Sequence, residues 1–269
     1  EIIKPLIVGD DVRKYEINFR DRYLIWTYIG VEIEKYPAIK KHLEQFQSQL
    51  EKRWDKGSYW WELRACDYYA DFEKPKIVYL VFQVKPAFYF DNDGLFCNNA
   101  IWIIPRNDKF LVSILNSKLG WYLVSKKCTQ IQNGYQLIWD YFKNIPIRRI
   151  AFTTPERQRL VEEMKALYSK GDLNQVLKLM EGCLPRDEQG NPVMDKEKSD
   201  VVHDLLAFLA EGMIEMNRGK QGEIEAFLGR LESLLDVKVN DLTGKAALRE
   251  YHDREWNEIK KVLDKNRAK

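Results

Sequence analysis

Long apolar runs and clustered metal-ligand residues are both missing from this chain of 269 residues. No stretch reaches the roughly 18 apolar residues that a membrane-spanning helix needs. The four cysteines (Cys66, Cys97, Cys128 and Cys183) form no CxxC pair, and the three histidines lie away from them. We therefore expect no metal site and no membrane span, and we expect free thiols in a cytoplasmic protein.

The first residues are charged and strand-like, so we expect no signal peptide. The sequence begins with Glu1 instead of Met. We therefore expect that it belongs to a longer parent chain.

Charged and aromatic residues are distributed unevenly along the chain. Residues 1–150 contain 23 Lys and Arg against 18 Asp and Glu, whereas residues 151–269 contain 20 against 23. The first part also holds 28 of the 34 aromatic residues. This change predicts two domains, 1–150 and 151–269, of which only the first has a net positive charge.

The first part mixes strand and helix patterns. Branched and aromatic residues predict strands at 2–8 and 22–28, and residues 77–82, apolar on both faces, predict a central strand. Asp91 to Gly94 reads as a turn, after which a partner strand returns. Two apolar stripes each predict one amphipathic helix. Their members are Ile39, Leu43, Phe46, Leu50 and Trp54 in the first, and Phe110, Leu111, Ile114, Leu115, Leu119, Tyr122 and Leu123 in the second.

The second part reads as helices alone. Thr154 is the expected N-cap of the first helix, with Pro155 at its first position. Further amphipathic segments lie at 172–182, 197–218, 221–235 and 245–266. The fold class is therefore α+β: a mixed β-sheet domain with amphipathic helices, followed by an all-α domain. We expect its helices to pack together and against a partner, because their charge is unfavourable for binding DNA.

The order of several fragments in residues 2–150 resembles one family. The fragments are IIKPLIVGDDVRKY, YPAIKKHLEQFQSQLEKR, KPKIVY, GLFCNN, FLVSILNSKLGWYLV and IPI. Together they resemble the TaqI-like C-terminal specificity domain, the target recognition domain of many Type II restriction-modification enzymes, which is akin to the recognition modules of Type I specificity subunits. One turn departs from the family pattern of Gly-Arg-Asp followed by Ile or Val, because Asp10 stands where the family has Arg.

The resemblance implies sequence-specific binding of double-stranded DNA. In the family, a methyltransferase domain forms the other wall of a DNA cleft and flips out an adenine for N6 methylation. That domain would precede this chain in the parent or be a separate subunit. The parent would need S-adenosylmethionine, with Mg²⁺ for cleavage. This chain contains no Asn-Pro-Pro-Tyr motif and no Gly-rich loop, so we expect it to hold neither catalytic residues nor a cofactor.

Basic, amide and aromatic side chains near the predicted strand ends are the candidate DNA contacts. Lys and Arg suit phosphates, and an Asn or Gln amide can donate and accept at one adenine edge. The candidates are Lys4, Arg13, Lys14, Tyr15, Lys52, Arg53, Trp60, Trp61, Lys74, Lys76, Asn98, Asn99, Asn116, Lys126, Lys127, Gln130, Gln132 and Asn133. In particular, Lys74 and Lys76 would hold a phosphate beside the amide edges of Asn98 and Asn99.

Most of these groups also have a structural interpretation. Asn98 and Asn99 could satisfy backbone groups at a strand bend, and Lys52 and Arg53 suit the last turn of a helix. Adjacent Trp60 and Trp61 would face opposite sides of a strand, one of them in the core. Residues 125–139 could be a plain solvated loop.

Two other functions stay open from the sequence. The chain could be a nuclease in its own right, with Asp71, Glu73 and Lys76 as a cluster, although their spacing is not the usual one. It could instead be a scaffold that binds another protein through its C-terminal helices.

Overall fold

The computed structural model describes residues 2–266. The strands are β1 (Ile3–Ile7), β2 (Val12–Arg13), β3 (Glu16–Ile17), β4 (Tyr23–Ile25), β5 (Lys76–Leu80), β6 (Phe82–Gln83), β7 (Phe88–Asp91), β8 (Phe96–Cys97), β9 (Ile101–Ile104), β10 (Thr129–Ile131) and β11 (Gly134–Gln136). Helices dominate after β11, so the predicted α+β class is confirmed.

The helices begin between strands β4 and β5. They are α1 (Pro37–Glu44), α2 (Gln47–Leu50), α3 (Lys109–Leu115), α4 (Lys118–Lys127), α5 (Trp139–Phe142), α6 (Arg157–Ser169), α7 (Leu173–Cys183), α8 (Ser199–Leu235), α9 (Lys245–Arg249) and α10 (Trp256–Asn266). Short 3-10 turns lie at Gly9–Asp11, Ile33–Lys35, Tyr69–Asp71, Met194–Lys196, Val239–Asp241 and Tyr251–Asp253. None of the helices in residues 2–266 is long and apolar enough to cross a membrane.

The central sheet is antiparallel, in the order β7–β5–β9. Strand β5 lies in the middle and is buried along most of its length, as its apolar residues on both faces predict. Tyr79 pairs with Phe88 on one side, and Leu80 pairs with Ile101 on the other. The predicted return strand after Gly94 is divided into β8, which pairs with β1, and β9, which pairs with β5. Strand β7 is the hairpin partner that the sequence did not reveal.

Three smaller sheets surround this one. Their orders are β4–β1–β8, β10–β11–β6 and β2–β3. Strand β1 runs antiparallel to β4 and parallel to β8, so this sheet is mixed. The core that joins the sheets also takes in Ala210 and Ile214 of α8.

The first predicted amphipathic helix is broken and lies at the surface. Helices α1 and α2 are separated at Phe46, and neither buries a residue completely. Trp54 is 96% exposed. The prediction of one continuous helix is wrong, because the helix is interrupted between Glu44 and Gln47 and Trp54 lies beyond the end of α2.

The second predicted helix is also two helices, α3 and α4. The Asn116 side chain accepts a hydrogen bond from the Phe88 N–H (3.2 Å) and donates one to its carbonyl (2.8 Å). The Ser117 hydroxyl then caps α4 by accepting from the Gly120 N–H (2.9 Å). This polar pair turns the chain, so Leu119 and Tyr122, which the single-helix prediction placed on one apolar face, are exposed.

The compact units of the fold divide after Ile214, inside α8. In the first unit, α6, α7 and the start of α8 share a core that includes Met164, Val176 and Leu205. Thr154 does not cap α6 as predicted, because its hydroxyl and N–H bind the Asp200 carboxylate at the start of α8. The boundary at residue 150 stays a prediction about domain identity.

The second unit begins at Glu215. Its core contains Val239, Leu242, Leu248 and Ile259, contributed by α9, α10 and a 3-10 turn. The predicted helix over 245–266 is interrupted between α9 and α10. The two helices predicted within 197–235 are instead the single helix α8, because glycine lowers helix stability without ending a helix by itself.

Candidate nucleic-acid interface

The central sheet has two ends that differ in chemistry. At one end β5 stops at Leu80, β7 begins at Phe88 and β9 begins at Ile101; we call it the Leu80 end. At the other, β5 begins at Lys76, opposite Asp91; we call it the Lys76 end. The four residue steps of β5 separate them by about 13 Å.

The turn with Asn98 and Asn99 lies at the Leu80 end. The Val81 N–H donates to the Ala100 carbonyl (3.0 Å), which ties this turn to the end of β5. The Asn98 side chain accepts from the Ala100 N–H (3.2 Å), so it braces the bend as the structural interpretation supposed. Both asparagines are exposed, and Asn99 has the freer amide for an outside partner.

The hairpin β10–β11 lies beside this turn. The Val81 carbonyl accepts from the Leu137 N–H (2.7 Å), and β11 pairs with β6. Gln132 and Asn133 form the exposed hairpin turn, with Gln132 at φ +51°, and Gln130 is exposed on β10. The segment predicted as a loop is therefore an ordered two-stranded projection, with exposed Lys126 and Lys127 in the last turn of α4.

Buried Gln83 holds this end of the sheet in shape. Its amide donates to the Leu80 carbonyl (3.0 Å) and accepts from the Ala87 N–H (2.9 Å), which spans the loop after β5. A Cβ on Gly134 would lie 2.5 Å from the Gln83 carbonyl oxygen, so only glycine allows β11 to approach so closely. The exposed side chains around Gln83 therefore sit on a rigid frame.

Arg13 and Lys14 reach the same end through the β2–β3 hairpin. Their neighbour Tyr15 donates its N–H to the Phe88 carbonyl (3.1 Å), at the start of β7. Both cations are exposed. Tyr15 itself is 8% exposed, and burial raises the pKa of its hydroxyl while a hydrogen bond with Asn116 opposes the rise. The prediction that the Tyr15 ring contacts DNA is wrong, because the ring is part of the core.

Two more candidates are corrected for the same reason. Asn116 is 1% exposed, and its amide is used by the Phe88 backbone. Lys76 is fully buried, where it forms an ion pair with Asp91 and donates to the Phe72 carbonyl. Burial raises the Asp91 pKa, although Lys76 and two backbone N–H groups counteract the rise. Neither side chain can reach DNA.

The remaining cations of the Lys76 end are neutralised by acidic partners. Lys74 pairs with Asp71 (2.8 Å), and Lys4 pairs with Glu73 (2.5 Å) beneath the Trp26 ring. The expected site that combines Lys74 and Lys76 with Asn98 and Asn99 does not exist, because the strand register places them at opposite ends of β5.

The candidates Lys52, Arg53, Trp60 and Trp61 lie away from the Leu80 end. Their segment follows β4, which pairs with the start of β1 at Ile3. The Asn98 turn is instead hydrogen-bonded to the opposite end of β1. Arg53 donates to the carbonyls of Trp60 (3.0 Å) and Glu62 (2.8 Å), so it braces a loop. The tryptophans are half-buried in a turn, not on a strand, and Lys52 is exposed.

The sequence analysis missed Lys85 at the Leu80 end, and it did not place Asp10 there. Lys85 is exposed in the loop after β6, beside exposed Phe82 and Val84. Asp10 is also exposed, and Gly9 before it lies against Ala100. The Val-Lys-Pro run after a buried strand was the available signal for Lys85. The acidic Asp10 therefore stands at this surface in the position where the family turn has an arginine.

Exposed amides and lysines at one rigid end of a mixed-sheet domain are the groups that nucleic-acid recognition modules use to contact bases and phosphates. Residues 4–147 match the family model of the TaqI-like C-terminal specificity domain. Because this match covers more than half of the chain, the chain belongs to that family. It thus carries a domain of the type that recognises DNA targets in restriction-modification enzymes. No curated protein matches the chain.

Proposed function

We propose that this chain reads duplex DNA as the target recognition part of a Type II, IIG-like restriction-modification enzyme. The observation that carries the proposal is the set of side chains exposed at the Leu80 end of the central sheet, in a chain that belongs to the TaqI-like specificity family. At that end, exposed amides lie on the same side of the sheet as two exposed lysines that have no acidic partner among residues 2–266, namely Lys85 and Lys127. Exposed cations without an internal partner are suited to phosphates.

Two kinds of contact would share this surface. Lys85, Lys126 and Lys127 would bind phosphates and set the register of the domain on the duplex. The amides of Asn99, Gln130 and Gln132 would approach base edges, because a two-stranded ribbon fits the major groove. The frame around Gln83 fixes the backbone at this end of the sheet before DNA binds, so little backbone entropy would be lost on association.

The chemistry would be supplied by another part of the parent enzyme. A methyltransferase domain, in the same chain or a separate subunit, would close the DNA cleft and use S-adenosylmethionine, with Mg²⁺ where the parent also cleaves. The alternative of a stand-alone nuclease loses support, because Lys76 is buried and Asp71 and Glu73 are paired with Lys74 and Lys4. The role of residues in this chain is therefore recognition and positioning.

Selection from a randomised duplex pool at low and moderate salt tests the proposal. We expect binding that weakens steeply with salt and an enriched short sequence among the bound duplexes. Affinity should be modest, since the opposite wall of the cleft is absent. Binding without any enriched sequence, or no duplex binding even at low salt, would contradict the proposal.

A further inference from the structure

A cleft of about 810 Å³ lies away from the Leu80 end. Its wall starts where β9 ends, at Ile104, whereas the candidate DNA surface lies where β9 begins. The other lining residues come from the segment between β9 and α3, from α3, α5, the segment that follows α5, and the start of α8. The cleft has the size of pockets that hold small molecules.

The cleft is lined by aromatic rings over an aliphatic floor. Ile104, Leu115 and Ile145 are buried beneath it. Five rings face this space: Phe110, Trp139, Phe142, Phe152 and His203. Trp139 and Phe152 are about half exposed, so two of the rings are open to a ligand. Such a lining favours a flat, aromatic ligand group.

His203 gives one wall a fixed shape. Its ring lies 4.5 Å from that of Phe110 and 4.9 Å from that of Phe152, centre to centre. Its Nδ1 is 2.9 Å from a carboxylate oxygen of Asp204. The histidine is thus a satisfied residue at the edge of the core, and it packs against two rings of the cleft.

The charges of the cleft are not balanced. Lys143 pairs with Asp140 (2.9 Å) and Arg148 pairs with Glu197 (2.6 Å). The acidic lining residue, Asp108, accepts the Leu111 N–H (2.8 Å) as the cap of α3. Arg106 and Arg149 are exposed, and neither has an ion pair within residues 2–266.

We propose that this cleft binds a nucleotide, with the base against the rings and the phosphate groups at Arg106 and Arg149. Planar guanidinium groups match phosphate oxygens in pairs, and nucleobases stack on aromatic side chains. An acidic peptide would also meet the charge requirement. The high share of rings among the lining side chains favours the flat base over a peptide.

Calorimetric titration of the whole chain with ATP, GTP, CTP and UTP tests this inference. We expect at least one nucleotide to bind, and its nucleoside or inorganic phosphate alone to bind more weakly. The double change Arg106→Ala with Arg149→Ala should reduce the affinity at least about tenfold. Trp139→Leu should reduce it too. Since Arg106 and Arg149 are exposed, the thermal melting of the arginine double variant should stay unchanged.

Matched controls separate this site from the DNA surface. Lys170→Ala with Lys178→Ala removes two exposed charges elsewhere and should leave nucleotide binding intact. The arginine double variant should keep its duplex affinity, whereas Lys126→Ala with Lys127→Ala should keep its nucleotide affinity. The proposal is overturned if no nucleotide binds at millimolar concentration. Titration with a single-stranded DNA (octathymidylate) and with an acidic peptide completes the test, and binding of either one without any nucleotide also overturns the proposal. The same holds if Lys170→Ala with Lys178→Ala weakens nucleotide binding as much as the arginine double variant does.

Discussion

The two ends of the central sheet carry similar numbers of lysines, yet they differ in whether those lysines form ion pairs with acidic residues. At the Lys76 end every one is paired: Lys4 with Glu73, Lys74 with Asp71 and Lys76 with Asp91. At the Leu80 end, Lys85 and Lys127 have no acidic partner in the described part of the chain, and Lys126 lies over the Tyr122 ring. A lysine next to a strand is thus a candidate DNA contact only where its charge is left for the ligand.

The largest expected effect comes from breaking the buried pair at the Lys76 end. Lys76→Met leaves the Asp91 carboxylate buried without its cation, which should lower the free energy of unfolding by about 3–5 kcal/mol. Lys85→Met at the Leu80 end should change it by less than about 0.5 kcal/mol. Urea unfolding of the whole chain measures both. Equal stability of the two variants would show that Lys76 is not a structural cation.

The next effect sharpens the assignment of base reading to the Leu80 end. Asn99→Ala should lower discrimination at one base pair of the preferred site by about 1–3 kcal/mol, because a paired amide contact is lost. Thermal melting should stay unchanged, since the side chain is exposed. Competition between the selected duplex and its single-base variants measures this loss.

Asn107→Ala is the matched control for that experiment. Asn107 is an exposed asparagine near the end of β9, away from the Leu80 end. Its replacement should leave base discrimination unchanged. If both variants relax the preference equally, or if neither does, Asn99 does not read a base.

The smallest effect is a gain. Asp10→Arg restores the family residue at the Leu80 end, and one added phosphate contact should steepen the dependence of log affinity on log salt by about 0.9. Duplex affinity at low salt should rise severalfold. Fluorescence anisotropy over a series of salt concentrations measures both quantities.

Asp55→Arg makes the same change of charge in the exposed segment after α2. It should raise low-salt affinity less and leave the salt dependence nearly unchanged. An equal response of the two variants would mean that net charge alone, and not the position of Asp10, governs binding.

Local patterns were enough to predict part of this fold. The apolar run of β5 predicted a central strand, Gly94 has the positive φ that its turn requires (+70°), and α7 lies where its apolar spacing placed it. The ordered fragments also pointed to the family that the match confirms. These features depend on residues that are close together in the sequence.

The remaining features depend on partners that are distant in sequence. Lys76 follows a proline in a run of charged residues, so the sequence alone suggests an exposed side chain. It is buried because the strand register places it opposite Asp91. Asn116 interrupts a helical stripe because its amide meets the Phe88 backbone, 28 positions earlier. Strand pairing likewise decides which amides and which lysines lie on the same surface. A single sequence does not reveal that pairing.

The central claim is that duplex DNA meets the Leu80 end, and the salt dependence of two matched double variants tests it most directly. Lys126→Ala with Lys127→Ala should reduce the slope of log affinity against log salt by about 1.8, because two phosphate contacts are lost. Lys52→Ala with Lys74→Ala removes the same charge away from that end and should leave the slope unchanged. Equal slopes for the two variants, or a loss confined to the second, would contradict the account.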